Sequence, residues 1–249
     1  MRSESAGVAR QPSMEFEKRT EALLTQTLPQ IDPSRVGTCI EIGVGTYHWY
    51  CDLFAKAGYR SVAVEPVPSE PFIQHLRQGG ILFYEAVLGD HDGTATVYLG
   101  KDGDTNLSSI RRDWWAATEH TRTVASMTLA TVVVRSGIDR ITCLKVDAEG
   151  SEARILRQLL SFPPPLLPHL IVFEFGAAVW TEGKWLDHFD TDTMECLRIL
   201  HACGYDSLRT IDVFSEERCG HLQLDLSPDT YFGRDSQAGN AVAQLAEVG

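Results

Sequence analysis

The chain has 249 residues, 43% of them hydrophobic, and a formal net charge of -12. That length carries one α/β domain with a sizeable core, and the composition excludes wholesale disorder. The acidic balance disfavours nucleic acid and anionic membranes as partners, and no apolar run reaches the ~18 residues that a membrane-spanning helix needs.

Residues 1–13 read as a flexible tail with no apolar signal core. Residues 14–234 read as a single domain, and 235–249 as a second flexible tail. In 14–28, Phe16, Leu23, Leu24 and Leu28 suit one face of a helix, which Pro29 and Pro33 should end. Whether it covers a ligand or only packs on a sheet stays open.

Thr38-Cys39-Ile40-Glu41-Ile42-Gly43-Val44-Gly45-Thr46-Tyr47 reads as a buried strand, a tight turn and a helix start. Its glycines let a ligand approach the backbone, and the free N–H groups of a helix start suit an anionic group. Residues 47–57 continue as a helix stopped by Gly58, and 61–65 form a strand ending in Glu65. A carboxylate ~20 residues past a glycine turn is where nucleotide-binding sheets grip a ribose diol. A dinucleotide site wants a third glycine, but that place holds His48. Glu41 would also repel a pyrophosphate. It suits the ammonium and sulfonium of S-adenosylmethionine.

Residues 69–77 read as a short helix, 81–88 as a strand, 89–93 as a turn, and 94–99 as a β-branched strand able to close a hairpin. Residues 100–125 are irregular, with Trp114 and Trp115 side by side. Such a loop is commonly functional. It reads as a substrate-facing lid, with the tryptophan pair plugging the core as the alternative. Residues 127–136 are ambiguous between helix and extended chain. Residues 141–146 form a strand followed by a helix to 160, four prolines mark 162–168 as a loop, and 169–175 form another strand. Residues 190–202 are an amphipathic helix capped by Asp190 or Asp192. Residues 207–214 and 221–226 read as an antiparallel closing pair.

This alternation predicts an α/β fold: a doubly wound, mainly parallel, Rossmann-like sheet, with one antiparallel strand near the C-terminal edge. The six cysteines form no C-x-x-C pair. They read as buried thiols in a reducing, cytoplasmic compartment.

Glu41, Glu65, Asp147 and Glu174 each close a predicted strand. Four carboxylates at one rim repel one another unless a cation sits among them. Leu144-Lys145-Val146-Asp147-Ala148-Glu149-Gly150-Ser151-Glu152 resembles the LKIDVEGAE stretch of the FkbM-type S-adenosylmethionine-dependent methyltransferases. Glu85-Ala86-Val87-Leu88-Gly89-Asp90, followed by Gly93, is similar to that family's NVALGDxxG piece, and Val64-Glu65-Pro66 to its VEP. The resemblance spans roughly residues 38–175.

It implies a class I methyltransferase fold and O-methylation of a hydroxyl on a small molecule, a sugar or natural-product intermediate, with S-adenosylhomocysteine as the product. Glu41, Gly43 and Gly45 would border the methionine part, and Tyr47, where many relatives carry glycine, would pack on it. Glu65 would hold the ribose and Ala86 and Val87 the adenine. Asp147 would lie beside the ammonium and methyl groups. Glu85 stands where relatives carry an amide.

An alcohol acceptor needs its proton removed. Asp147, Glu149 and Glu174 are the candidate bases, with His48, His120 and His188 as alternatives. Lys145 is expected to neutralise a buried carboxylate such as Glu41. A divalent metal such as Mg²⁺ between Asp147 and Glu174 is a lesser alternative. The expected partner is a small methyl acceptor, without nucleic acid or membrane, and a homo-oligomer stays open. The rival readings are a nicotinamide-dependent oxidoreductase and a non-catalytic binding module on the same fold.

Overall fold

The apolar run Thr38–Ile42 forms β1, buried at every position, and sits in the middle of an eight-stranded sheet. The computed structural model describes residues 12–46, 49–176, 178–181, 184–187, 192–213, 219–224, 226 and 238–246. Before β1, helix α1 covers Pro12–Ile31. It runs through Pro29 rather than ending there, because a proline in the last turn removes few helical bonds.

After β1 come α2 (Tyr50–Lys56), β2 (Arg60–Val64) and α3 (Glu70–Gln78). Helix α2 starts later than expected because Trp49 is extended. Ser69 caps α3 by accepting the Phe72 N–H. The expected strand 81–88 is two pieces, β3 (Leu82–Tyr84) and β4 (Val87–Leu88). The chain turns between them, with Ala86 N–H donating to the Tyr84 carbonyl at 3.1 Å.

Strand β5 (Gly93–Gly100) does not close a hairpin with the strand before it. It pairs antiparallel with β6 (Ala117–Met127), which lies largely inside the stretch expected to be irregular. β4, β6 and β5 form a separate small sheet. β6 is exposed over most of its length, so it carries no hydrophobic period to betray it.

Next are α4 (Leu129–Ser136), capped by Thr128, then β7 (Ile141–Val146), α5 (Glu152–Arg157) and β8 (Leu170–Gly176). β9 (Ala178–Thr181) and β10 (Lys184–Asp187) form a two-stranded ribbon. Helix α6 (Thr193–Ala202) follows, then β11 (Tyr205–Asp212), β12 (Gly220–Gln223) and β13 (Ala238–Leu245). Asp192 stands at the α6 cap position but makes no side-chain cap bond. Asp190 lies outside the described residues.

The sheet order is β12-β11-β13-β8-β7-β1-β2-β3. β13 was expected to be part of a flexible tail over 235–249. It pairs instead with both β8 and β11, and its middle is fully buried. It is antiparallel to both, and β12 is antiparallel to β11, so two strands run against the rest where one was expected. Residues 1–11 lie outside the described part. No helix among the described residues is long and apolar enough to cross a membrane.

Alternation along the central strands separates two faces. Ile40, Val62, Leu144, Ile171 and Phe173 pack in one core with α4, α5 and α6. Cys39, Cys143, Leu170 and Val172 face the opposite way, against Leu24 and Leu28 of α1 and Phe54 of α2. By the same period Glu41, Lys145 and Glu174 lie on the α1 and α2 side. The chain leaves β1 towards β2 on one side and returns beside it as β7, so the crevice between these strands is a topological switch point.

Candidate active site

A cavity opens at the carboxyl ends of β1, β2, β7 and β8, and has the size of a small-molecule site at ≈ 280 Å³. Its floor is the glycine turn after β1. Gly43 has φ +73°, and a Cβ there would lie 1.6 Å from the Asp147 carbonyl oxygen, so any side chain would drive the β1 and β7 ends apart. Gly45 has φ +62°, and a Cβ would lie 2.7 Å from Asn106 Oδ1. Both positions need glycine to keep the backbone bare beneath a ligand.

Glu41, Gly43, Gly45 and Glu65 line this cavity. Ala86 and Val87 line it too, delivered by the break between β3 and β4. Asp147, Glu149 and Glu174 complete the set. The turn therefore brings together nine of the residues singled out in the sequence. Tyr47, His48 and His188 lie outside the described residues. His120 is exposed on β6 and Glu85 is exposed on its turn; neither belongs to the cavity lining.

The Glu65 carboxylate accepts the Gly45 N–H at 3.2 Å and the Val67 N–H at 2.9 Å. Burial raises its pKa, and these two amides hold the rise back. Glu41 accepts the Cys51 N–H in the first turn of α2, and burial pushes it up to about 8. Lys145, 1% exposed, pairs with Asp147 at 2.9 Å and lies over the Tyr50 ring. The contact ion pair is thus with Asp147 and not with the expected Glu41, although the Lys145 charge still draws the Glu41 carboxyl down. Glu41 is satisfied by a helix start, which leaves the ammonium to Asp147.

Burial first, then the charges of Asp147 and Glu152, push Glu149 up to about 9. Burial, then Asp147 and Glu149, hold Glu174 well above the carboxylate range. Glu149 also adopts a left-handed φ of +50° just before Gly150, a strained conformation of the kind found at working sites. Its carbonyl accepts the Ser109 hydroxyl at 2.7 Å. No group of three His, Cys, Asp or Glu among the described residues is arranged to hold a metal ion.

Several lining residues escaped the sequence reading. Phe16 and Glu17 reach in from α1, so the leading helix does cover the site. Tyr50 donates its hydroxyl to Glu17. Asn106 Oδ1 accepts the Thr46 N–H at 2.6 Å and the Thr46 hydroxyl at 2.9 Å, clasping the loop of residues 104–110 over the glycine turn. Within the sequence the only hint was the Asp104-Thr105-Asn106 turn chemistry. Trp114 is buried against Gly150, whereas Trp115 is 52% exposed.

These features fit S-adenosylmethionine. The glycine floor leaves room for it, Glu65 stands where a ribose diol can be held, and the acidic rim complements a sulfonium and an ammonium. The strand order and the switch-point cavity define the class I methyltransferase fold. The Methyltransferase FkbM domain model matches residues 36–207, and the chain belongs to this family of S-adenosylmethionine-dependent methyltransferases.

No match was found among curated proteins. Among solved structures, magnesium protoporphyrin IX methyltransferase from Synechocystis PCC 6803 with bound S-adenosylmethionine is similar at TM-score 0.43. It is 12% identical over 97% of this chain and 87% of its own. A TehB-like methyltransferase from Corynebacterium glutamicum is similar at TM-score 0.39, 13% identical over 94% of this chain and 98% of its own. A 1,6-didemethyltoxoflavin N1-methyltransferase from Burkholderia thailandensis is similar at TM-score 0.38, 9% identical over 98% and 94%. Likenesses at these scores carry no argument about the reaction.

Proposed function

We propose that this methyltransferase acts on a hydroxyl oxygen of a small molecule, a sugar or natural-product intermediate. The observation that carries the reading is the clustering of Asp147, Glu149 and Glu174 in one cavity beside the glycine turn. An alcohol needs a proton acceptor near its oxygen, and these carboxylates are within the same crevice. The cover formed by α1 and residues 104–110 favours a small acceptor over a polymer. The acidic chain speaks against nucleic acid.

In this reading Glu65 grips the ribose, Ala86 and Val87 flank the adenine, and Glu41 and Asp147 border the methionine portion. Bound there, S-adenosylmethionine supplies an electrophilic methyl carbon. The acceptor oxygen forms its new bond to that carbon as the carbon–sulfur bond breaks, and the electron pair stays on sulfur. Glu149 or Glu174 takes the hydroxyl proton. Burial raises both above the ordinary carboxylate range, Glu149 to about 9, and a neighbouring positive charge favours their ionised forms.

The test is calorimetry with S-adenosylhomocysteine, then mass spectrometry of products from a panel of small hydroxyl compounds with labelled donor. Binding followed by label in an O–CH₃ group is the expected result. Label found only on nitrogen or carbon would overturn the oxygen assignment. Glu149→Gln and Glu174→Gln should lower turnover more than homocysteine-product affinity; unchanged turnover in both would remove them as bases.

A further inference from the structure

We propose that Ser109 and Trp114 are positioning residues for methyl transfer, holding Glu149 in the left-handed turn that keeps its carboxyl at the cavity. The inference rests on the reading of Glu149 as the proton acceptor.

Glu149 and the glycine after it both have positive φ, +50° and +86°. A residue with a side chain does not favour that region, so something must hold Glu149 there. The loop before β6 supplies the restraint. Ser109 Oγ donates to the Glu149 carbonyl at 2.7 Å, and Arg111 Nη1 donates to the Gly150 carbonyl at 3.3 Å. The Trp114 ring lies so close over Gly150 that a Cβ there would stand 2.6 Å from Cε3. Hydrogen bonds to both carbonyls and a ring against the glycine thus fix the turn.

The loop is itself anchored. Ser109 and Tyr98 exchange backbone hydrogen bonds at 3.0 and 2.8 Å, and Ser109 Oγ also accepts the Arg111 N–H at 3.0 Å. At the start of β6 the Ala117 N–H donates to the Trp114 carbonyl at 2.9 Å. Ser109 and Trp114 are both buried. A rigid support of this kind is what a reacting group needs to keep its aim.

A second observation concerns the Glu149 side chain. Burial raises it most, and Asp147 of β7 and Glu152 of α5 add to the rise; Lys145 of β7 and the Trp114 indole N–H pull it back. Glu174 of β8 faces the same group. The indole N–H is buried and completes no hydrogen bond in this structure. A buried donor is costly to leave unpaired, and the neighbouring carboxyl satisfies it by turning to it. The residue that presses on Gly150 therefore also bears on where the Glu149 carboxyl lies.

The test uses the full chain. Calorimetry with S-adenosylhomocysteine comes first; failure there would remove the methyltransferase site itself and not only this refinement. Hydrogen exchange of that complex then needs no acceptor. Ser109→Ala and Trp114→Leu should speed exchange of residues 148–151 about tenfold and leave β1 unchanged, and Trp114→Phe, which keeps a ring on Gly150, should restore most of the protection. With labelled donor and the hydroxyl compound that takes up label, Ser109→Ala and Trp114→Leu should each lower kcat about tenfold, while KM stays within about twofold. In a Glu149→Gln background neither should lower kcat further by more than about twofold, because both act through that side chain. Losses that multiply in that background would mark general damage and overturn the proposal. Unchanged exchange or unchanged kcat in both variants would overturn it too. So would full turnover in Glu149→Gln, which with an inactive Glu174→Gln would leave the O-methyl transfer reading standing. Should Trp114→Leu not fold, Ser109→Ala carries the same test.

Discussion

Lys145 Nζ lies 2.9 Å from Asp147 Oδ2, while Glu41, its register partner on the neighbouring strand, takes the Cys51 N–H instead. One ammonium thus holds Asp147, and a helix start holds Glu41. Replacing Lys145 by Met leaves Asp147 without its cation among several acids. A fully buried pair loses ~3–5 kcal/mol when one partner is removed, and with the Asp147 side chain 30% exposed the expected loss is ~2 kcal/mol. Denaturant melts check it; a variant as stable as the parent would show that the pair contributes nothing.

Glu65 has one oxygen on the Gly45 amide of the glycine turn at 3.2 Å and the other on the Val67 amide just beyond its own strand at 2.9 Å. Glu65→Ala should therefore act twice, by removing a ribose acceptor and by loosening the turn. S-adenosylhomocysteine affinity should fall at least about tenfold, near the ~1.5–3 kcal/mol of a hydrogen bond to a charged group. Calorimetry reads this directly. Unchanged affinity would strip Glu65 of its ribose role.

Acidity should govern donor preference. Burial places Glu41 at about 8 and Glu149 at about 9, against an ordinary value of 4.5. Unfolding lets both ionise near 4.5, so the folded form binds more protons between there and about 9. Their contribution to stability is fully present below the unfolded value and is lost as pH rises through the folded ones. Melting temperature without ligand should drop between about pH 5 and 9. A sulfonium favours the ionised forms, so S-adenosylmethionine should gain on S-adenosylhomocysteine as pH rises from about 7 to 9. An affinity ratio that stays flat over that range would contradict the cation-binding role of these acids.

Asn106 ties the loop of residues 104–110 to Thr46 through two hydrogen bonds. Asn106→Ala should speed release of S-adenosylhomocysteine about five- to tenfold, as expected for ~1–1.5 kcal/mol of lost bonding. Stopped-flow dissociation is the measurement. A rate equal to that of the parent would mean that the clasp does not restrain the ligand.

The strand ends were legible because each combines an apolar run with a terminal acid, as at Glu41, Glu65, Asp147 and Glu174. These four share one cavity with Gly43 and Gly45 of the glycine turn and with Ala86, Val87 and Glu149, which the family resemblance pointed to. Asn106 was not legible, because its partner Thr46 is 60 residues away and only the folded loop joins them. β13 was missed for a different reason. Ala238-Gly239-Asn240-Ala241-Val242-Ala243 is poor in branched and aromatic residues, so local preference points away from a strand. Its place is set by the open slot between β8 and β11, a tertiary demand that outweighs propensity. β6 hides in the opposite way, since most of it is exposed and polar.

β13 comes after every other described element, yet it fills the gap between β8 and β11. Its Asn240 also bonds Thr20 and Glu17 of the leading helix. On the ribosome, the half built from β1, β2 and β7 can assemble early, but the sheet must wait with an open seam until residues 238–245 emerge. The helix that roofs the crevice gains its last anchor at the same moment. Methyl-transfer competence should therefore be among the final properties the nascent chain acquires.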